Sequence, residues 1–136
     1  MKTKYLSTIT KIIGSFCIAG VLTVCGQTTT KESALIGSWQ TINGPQTTYT
    51  FQDNHALTMT YKGGTVLSNA SIIGHWKLDS GQLTIVRDKY IANGREMPSS
   101  KKDDAVTWII VSVADSAMTW SNATQRIELR LSRIKS

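Results

Sequence analysis

The chain has 136 residues, a length that predicts a single domain, with 15 basic against 9 acidic residues and a net charge of +6. Three of the lysines precede Ile12, so the part from Cys25 onward carries 12 basic and 9 acidic residues and a net charge of +3. Because these charges are scattered and form no basic stripe, the composition argues against nucleic-acid binding.

The N-terminal segment has the order of charged and apolar residues that is typical of a secretion signal. A basic stretch, Met1–Lys11, precedes an apolar core of 13 residues, Ile12–Val24, which is short for a membrane-spanning helix. The end of this core, Leu22-Thr23-Val24-Cys25, resembles the lipobox of bacterial lipoproteins, in which the cysteine becomes lipidated. We therefore expect residues 1–24 to be a lipoprotein signal peptide and Cys25 to carry lipid such as palmitate.

The residue after this cysteine bears on the cellular address. Gly26, in place of Asp, resembles lipoproteins sent to the outer membrane of bacteria with two membranes. The resemblance implies a membrane partner through a lipid anchor, and a location in the bacterial cell envelope, at the outer membrane facing the periplasm. Ordinary signal cleavage near Gly26 and an uncleaved anchor are the alternatives. Once the leader is removed, Cys25 is the only cysteine left, so no disulfide forms within the exported chain.

The exported part divides into a short linker and one domain. The polar run Gln27–Ser33 lacks apolar periodicity, so we predict a flexible tether over residues 25–34 and a folded domain over residues 35–136. That domain shows alternating residues and turn signals without a helical period. The predicted strands are, in chain order, Leu35–Thr41, Thr47–Gln52, Ala56–Lys62, Thr65–Asn69, Ile72–Leu78, Gln82–Val86, Tyr90–Met97 with a turn at Asn93-Gly94, Ala105–Val113, Ala117–Ser121 and Arg126–Arg133.

Three of these strands predict which side chains face inward. Ile72, Gly74, Trp76 and Leu78 share one face of a hairpin whose turn is Asp79-Ser80-Gly81. In the last strand the inward residues are predicted to be Ile127, Leu129 and Leu131. The strand Ala105–Val113 is apolar on both faces, so we expect it to be covered on both sides.

Short strands joined by tight turns predict an antiparallel meander. About 100 residues of one-faced strands must bury their apolar faces together, and closing the sheet into a barrel does this while removing its exposed edges. The fold class we predict is all-β: a small antiparallel up-and-down β-barrel of about eight strands. A sandwich of two sheets is the structural alternative.

Four motifs of the domain carry a family resemblance. Gly37-Ser38-Trp39, Thr48–Asp53, Gly74–Leu78 and Gly81–Ile85 resemble the motifs of bacterial lipocalin-like lipoproteins, which are calycin-type barrels, and the resemblance extends over residues 35–134. Asn54-His55 stands where such proteins commonly have a glycine, so the turn there is expected to differ. The resemblance implies a lipocalin-like barrel with an apolar interior.

Barrel mouths favour aromatic linings, so the large inward side chains are the candidate ligand-binding residues. They are Trp39, Tyr49, Phe51, Met59, Trp76, Trp108, Met118 and Trp120. The alternative is that these side chains fill the interior of a small barrel and bind nothing. The leading hypothesis is an envelope lipoprotein that binds a small apolar or amphipathic molecule. The alternative is a protein-interaction or assembly module of the envelope, with a filled barrel.

Catalytic and metal-binding patterns were not found in the sequence. It contains no G-x-S-x-G elbow, and its acids are few and lie mostly in turns. The two histidines, His55 and His75, have no ligand spacing that links them, so a turn position and a surface position are expected. We therefore expect no enzymatic activity, no catalytic residue, no metal and no cofactor.

Overall fold

The computed structural model describes residues 30–63, 70–99 and 104–135. The predicted signal peptide, the predicted lipidation site Cys25 and the predicted strand Thr65–Asn69 lie outside these ranges. Within them, no helix has the length and apolarity needed to cross a bilayer. The elements are α1 (Glu32–Leu35), β1 (Gly37–Thr41), β2 (Thr47–Phe51), β3 (Ala56–Tyr61), β4 (Ser71–Asp79), β5 (Gln82–Ala92), β6 (Arg95–Pro98), β7 (Ala105–Val113), β8 (Ala117–Asn122) and β9 (Ile127–Arg133).

The sheet closes on itself through antiparallel pairings. Its strand order is β4-β3-β2-β1-β9-β8-β7-β5-β6, and β4 also pairs with β5, so eight strands form a closed ring. Strand β6 stands outside this ring, paired with the second half of β5. Neighbouring strands of the ring are consecutive in the chain except in two pairs, β5 with β7 and β1 with β9. The predicted all-β, up-and-down barrel is confirmed, and the alternative of a two-sheet sandwich is wrong.

Two hairpin turns have the backbone conformation that their residues predict. Ser80 and Gly81 have φ angles of 49° and 79°, and Asn93 and Gly94 have φ angles of 51° and 72°. Two consecutive positive φ angles match the right-handed twist of the strands on either side, and Asn-Gly and Gly-containing pairs accept them at low cost. The hairpins β4–β5 and β5–β6 therefore turn where the sequence places them.

Strand β5 is longer than the sequence predicts. The predicted strand ends at Val86, before the charged run Arg87-Asp88-Lys89, whereas β5 continues to Ala92. Pairing with β4 along its whole length supports this extension, including one register shift at which Ile73 faces Lys89 and Gly74 faces Arg87. Asp88 is thus an extra residue on β5, which is the arrangement of a β-bulge.

The prediction that β7 is covered on both sides is wrong. Trp108 and Ile110 point into the barrel, but Ile109 and Val111 on the other face are 47% and 59% exposed. A barrel wall is a single layer, so its outer face meets solvent even where the side chains are β-branched. β-Branched side chains also favour the strand conformation, and this preference explains why they occur on the outer face of β7.

The two ends of the domain differ slightly from the prediction. Helix α1 includes residues 32–34, which fall within the segment expected to be a tether, and its Leu35 is fully buried. In β9 the predicted inward facing holds for Leu131, which is fully buried, and for Leu129, which is partly buried, whereas Ile127 at the start of the strand is 43% exposed.

Candidate functional site

One end of the barrel is closed by helix α1 and its neighbours. The indole Nε1 of Trp39 donates a hydrogen bond of 2.8 Å to the Leu35 carbonyl. The Arg133 guanidinium lies 4.2 Å from the centre of the Trp39 ring and donates hydrogen bonds to the carbonyls of Ile36 and Ala34. These contacts hold the segment before β1 across the bottom of the barrel, which we call the closed end.

A surface groove of about 520 Å3 lies beside Arg133 at this end, lined also by Gly37, Ser38, Ile134 and Lys135. The guanidinium at its edge donates a third hydrogen bond, of 2.8 Å, to the Asp115 carbonyl. Since this cation is engaged by three backbone carbonyls and an indole, it holds the fold together and is not free to bind a ligand.

Above the closed end, aromatic rings fill the interior, and we call Phe51, Trp76, Trp108 and Trp120 the aromatic floor. The ring of Trp120 lies 5.9 Å from those of Phe51 and Trp108, and Phe51 lies 5.5 Å from Trp76. The contacts of Phe51 with the two tryptophans are edge-to-face, a favourable arrangement of aromatic quadrupoles. Tyr49 packs edge-on against Trp120 at 4.9 Å.

The structure brings all the candidate ligand-binding residues together. They belong to one buried cluster, and none is more than 8% exposed: Trp39, Tyr49, Phe51, Met59, Trp76, Trp108, Met118 and Trp120. Their role in binding stays a prediction, whereas their predicted inward facing is borne out by their burial.

Polar side chains line the opposite end of the barrel, which we call the mouth. Thr41, Thr47 and Asn122 are buried there. The Thr41 hydroxyl donates to the Pro45 carbonyl at 2.6 Å and accepts from the Thr47 N–H at 3.0 Å, while the Asn122 amide donates to the Thr107 carbonyl at 3.2 Å. These bonds satisfy the rim residues internally, so the residues free to interact with a ligand lie elsewhere in the mouth.

An ion pair lies in the mouth, within a group that we call the mouth cluster: Arg87, Tyr90, Ser99 and Asp104. The Arg87 guanidinium and the hydroxyl of Tyr90 donate to the two oxygens of the Asp104 carboxylate, and Ser99 donates to it at 3.1 Å. The side chains of Arg87 and Asp104 are 28% and 10% exposed, so the pair is largely enclosed but reachable from solvent.

The bulge in β5 puts both Arg87 and Tyr90 on the inward face. Side chains alternate along a strand, so Leu83, Ile85 and Arg87 point inward together. Because Asp88 is an extra residue, the alternation then shifts, and Tyr90 faces inward opposite buried Ile72. Without the shift Lys89 would take that place, so the bulge brings a phenol beside the guanidinium.

Electrostatics fix the protonation of the mouth cluster. The hydrogen bond from Tyr90 lowers the pKa of the Asp104 carboxyl, with a further contribution from Arg87 against the opposing effect of burial. The same hydrogen bond raises the pKa of Tyr90. Burial raises the pKa of Tyr49 and Tyr61, and the nearby charge of Arg87 opposes this change. At neutral pH the carboxylate is therefore ionised and all three phenols keep their protons.

Two buried donors have no acceptor among the residues that the structure describes. They are Nε of Arg87 and the indole Nε1 of Trp120. Both groups only donate, and a buried donor without an acceptor costs free energy, about 1–3 kcal/mol for a neutral group. Such orphaned groups mark a place where a water or a ligand oxygen would be stabilised.

The mouth cluster is not among the sites predicted from the sequence. Leu83 and Ile85 predict that Arg87 is the next inward residue, and a charge at an inward position was the available signal. The predicted strand ended at Val86, so Arg87 was not assigned to it. The positions of Tyr90 and Asp104 depend on the bulge and on the entry into β7, which leave no pattern in the sequence.

The histidines lie as expected, one in a turn and one on the surface. His55 has a φ of 64°, so it takes the left-handed conformation that a glycine would commonly supply at this turn. Its ring lies 4.9 Å from Trp76 and 3.3 Å from the Glu32 carboxylate. His75 pairs with Asp88 at 3.0 Å on the outer face. The described ranges contain no group of three side chains that could hold a metal ion.

The fold has a counterpart among solved structures. No protein-family model and no curated protein sequence matches the chain. A crystal structure of a lipocalin-like protein from Bacteroides uniformis matches with a TM-score of 0.53 and 13% identity, covering 74% of this chain and 99% of that one. At this identity the similarity concerns the fold alone. Together with the closed eight-stranded ring, it confirms that the chain has a lipocalin-like fold.

Proposed function

We propose that this protein is a non-enzymatic, lipid-anchored binding protein of the bacterial envelope, whose barrel takes up a small amphipathic molecule. The observation that carries the proposal is the arrangement of the interior, with an aromatic floor below and an ionised, hydroxyl-bearing mouth cluster above. Apolar ligand atoms would be stabilised on the floor by about 25 cal/mol per Å2 buried. The polar end of the ligand would stay beside the mouth cluster, where donors are available.

Titration tests this proposal. The full chain carrying Cys25→Ala, which has no lipid of its own, should bind an environment-sensitive dye or a fatty acid with one site per chain and a change in tryptophan fluorescence. Met118→Ala, a flexible filler of the interior that is 1% exposed, should alter the affinity. Val111→Ala, an aliphatic truncation on the outer face of β7, is the matched control and should leave it unchanged.

Absence of binding would refute the proposal. If the protein is folded and a panel of fatty acids, sterols and haem gives no saturable signal at micromolar protein, the ligand role is abandoned. The second candidate, an interaction or assembly module of the envelope, would then be preferred. The exposed aliphatic side chains Ile109 and Val111 favour it, because exposed apolar surface often marks a protein contact.

Lipidation of Cys25 is the part of the proposal that concerns location, and it rests on the basic and apolar leader before Leu22-Thr23-Val24-Cys25. Expressed in bacteria with radiolabelled palmitate, the wild-type chain should be labelled and Cys25→Ala should not. Cys17→Ala removes the other cysteine of the chain and should keep the label. Equal labelling of wild type and Cys25→Ala would exclude this anchor.

A further inference from the structure

Two buried donors inside the barrel could be satisfied by an acceptor on a ligand. Among the residues that the structure describes, Nε of Arg87 and Nε1 of Trp120 have no acceptor, one in the mouth cluster and one in the aromatic floor. The Tyr49 and Tyr61 phenols stay protonated at neutral pH, since burial raises the pKa of each. Ligand oxygens with lone pairs would satisfy the donors of Arg87 and Trp120, whereas a ligand head that only donates would leave both without an acceptor.

The mouth cluster already binds one anion, and that anion is part of the chain. The Asp104 carboxylate receives hydrogen bonds from Arg87, Tyr90 and Ser99. Three donors, one of them a guanidinium, form a suitable site for a carboxylate, because hydrogen bonds between charged groups are the stronger kind. The cluster therefore has the chemistry to accept an anionic group from outside as well.

The backbone of Asp104 is held independently of its side chain. The N–H of Arg87 donates a hydrogen bond of 2.9 Å to the Asp104 carbonyl, next to the point where β7 begins. Rotation about the side-chain bonds can thus move the carboxylate away from the guanidinium without unpairing β5 from β7. An incoming anion can take the place of the carboxylate while the wall of the barrel stays intact.

We propose that the barrel selects amphiphiles with an anionic head group, a carboxylate or a sulfonate, and that Asp104 competes with this head group for Arg87. This inference rests on the proposed ligand binding and names the chemical class of the ligand. Asp104 keeps the cation neutralised until an anion arrives, which avoids the high cost of an unpaired enclosed charge. The same competition lowers the affinity for the ligand and makes it easier to release.

Two probes with the same tail and different heads test the inference. Dodecanoate and dodecanol are titrated into the full chain carrying Cys25→Ala near pH 8, where the carboxylate is ionised. Adding Asp104→Asn should lower the dissociation constant of dodecanoate about tenfold, which corresponds to about 1.4 kcal/mol of binding free energy. The dissociation constant of dodecanol should change by less than about twofold. The amide keeps the size of the side chain and removes the competing charge.

A neutral double variant controls for the role of the cation. Arg87→Met with Asp104→Asn removes both charges together, so no unpaired charge is left inside, and it should bind the two probes with similar affinity. Thermal melts followed by circular dichroism establish that each variant is folded. Should a variant be unfolded, the two affinities of the parent chain are compared at low and high salt instead. Salt screens the attraction between an anionic head and the guanidinium, so the preference for dodecanoate over dodecanol should fall at high salt.

The possible outcomes separate the inference from the proposed function. If Asp104→Asn strengthens the binding of both probes equally, or changes neither affinity, the inference of an anionic head group is wrong while the proposed ligand binding stands. Stronger binding of dodecanol alone would also contradict the inference and would indicate a ligand with a neutral head group. If neither probe binds to the folded parent chain, the proposed function itself fails, and the inference fails with it.

Discussion

Trp76→Ala is expected to destabilise the barrel by about 3–5 kcal/mol, the usual cost of truncating a buried tryptophan. Trp76 is 2% exposed, and its ring packs edge-to-face on Phe51 at 5.5 Å. Its indole Nε1 donates to the Gln52 carbonyl at 3.2 Å, at the end of β2. The substitution removes the packing and leaves this carbonyl without its side-chain partner, so the turn between β2 and β3 loosens as well.

Lys77→Ala is the matched control for this prediction. Lys77 follows Trp76 in β4, and its side chain lies on the exposed outer face. Truncation there should change the free energy of unfolding by no more than about 0.5 kcal/mol. Urea melts of both variants, followed by circular dichroism and tryptophan fluorescence, measure the difference. Similar small effects of the two substitutions would mean that the facing of β4 is assigned incorrectly.

Regular alternation explains why most of the wall could be predicted. Ile72, Trp76 and Leu83 lie inward because their spacing along the strands places them on one face, and burying that face is the main driving force of folding. The turns at Ser80-Gly81 and Asn93-Gly94 could also be predicted, since few residues accept positive φ angles. These signals are local, and a barrel made of neighbouring hairpins needs little else.

The mouth cluster could not be predicted in the same way. The side chain of Arg87 is enclosed although charged, and only its pairing with Asp104, 17 residues further on, makes that position tolerable. Such a pairing depends on the path of the chain between β6 and β7. The bulge at Asp88 likewise depends on which residue of β4 lies opposite, and pattern alone does not determine the opposite residue.

Gly74→Ala is expected to destabilise the barrel by about 3 kcal/mol, at the upper end of the usual cost of overfilling a core. A Cβ on Gly74 would lie 2.0 Å from the Val86 carbonyl oxygen and 3.2 Å from Cα of Arg87. Both atoms belong to the backbone of the bulged part of β5, so rotating a side chain cannot relieve the overlap. Either the bulge moves away from β4 or the pairing between these strands breaks.

Gly81→Ala separates this steric cost from the cost of losing a glycine. Gly81 has a φ of 79°, and apart from its chain neighbours no described residue has an atom within 4 Å of a Cβ placed on it, so only the left-handed conformation opposes the substitution. Its expected cost is about 1–2 kcal/mol. Gly74 has no such positive φ, and its larger cost would come from contact with β5 alone. Equal losses in urea melts of the two variants would contradict this account.

The same substitution connects the wall of the barrel to its chemistry. Gly74 faces Arg87, and the register shift beside it decides that Tyr90, and not Lys89, points inward. If the bulge moves in Gly74→Ala, the guanidinium and the phenol no longer lie together in the mouth, so an anionic head group loses the donors that would bind it. The variant should then lose the preference for dodecanoate over dodecanol under conditions where it is still folded. Gly81→Ala, at the far end of β4 and β5, should keep that preference. A glycine whose missing side chain admits a bulge would in this way set the head-group selectivity of the barrel.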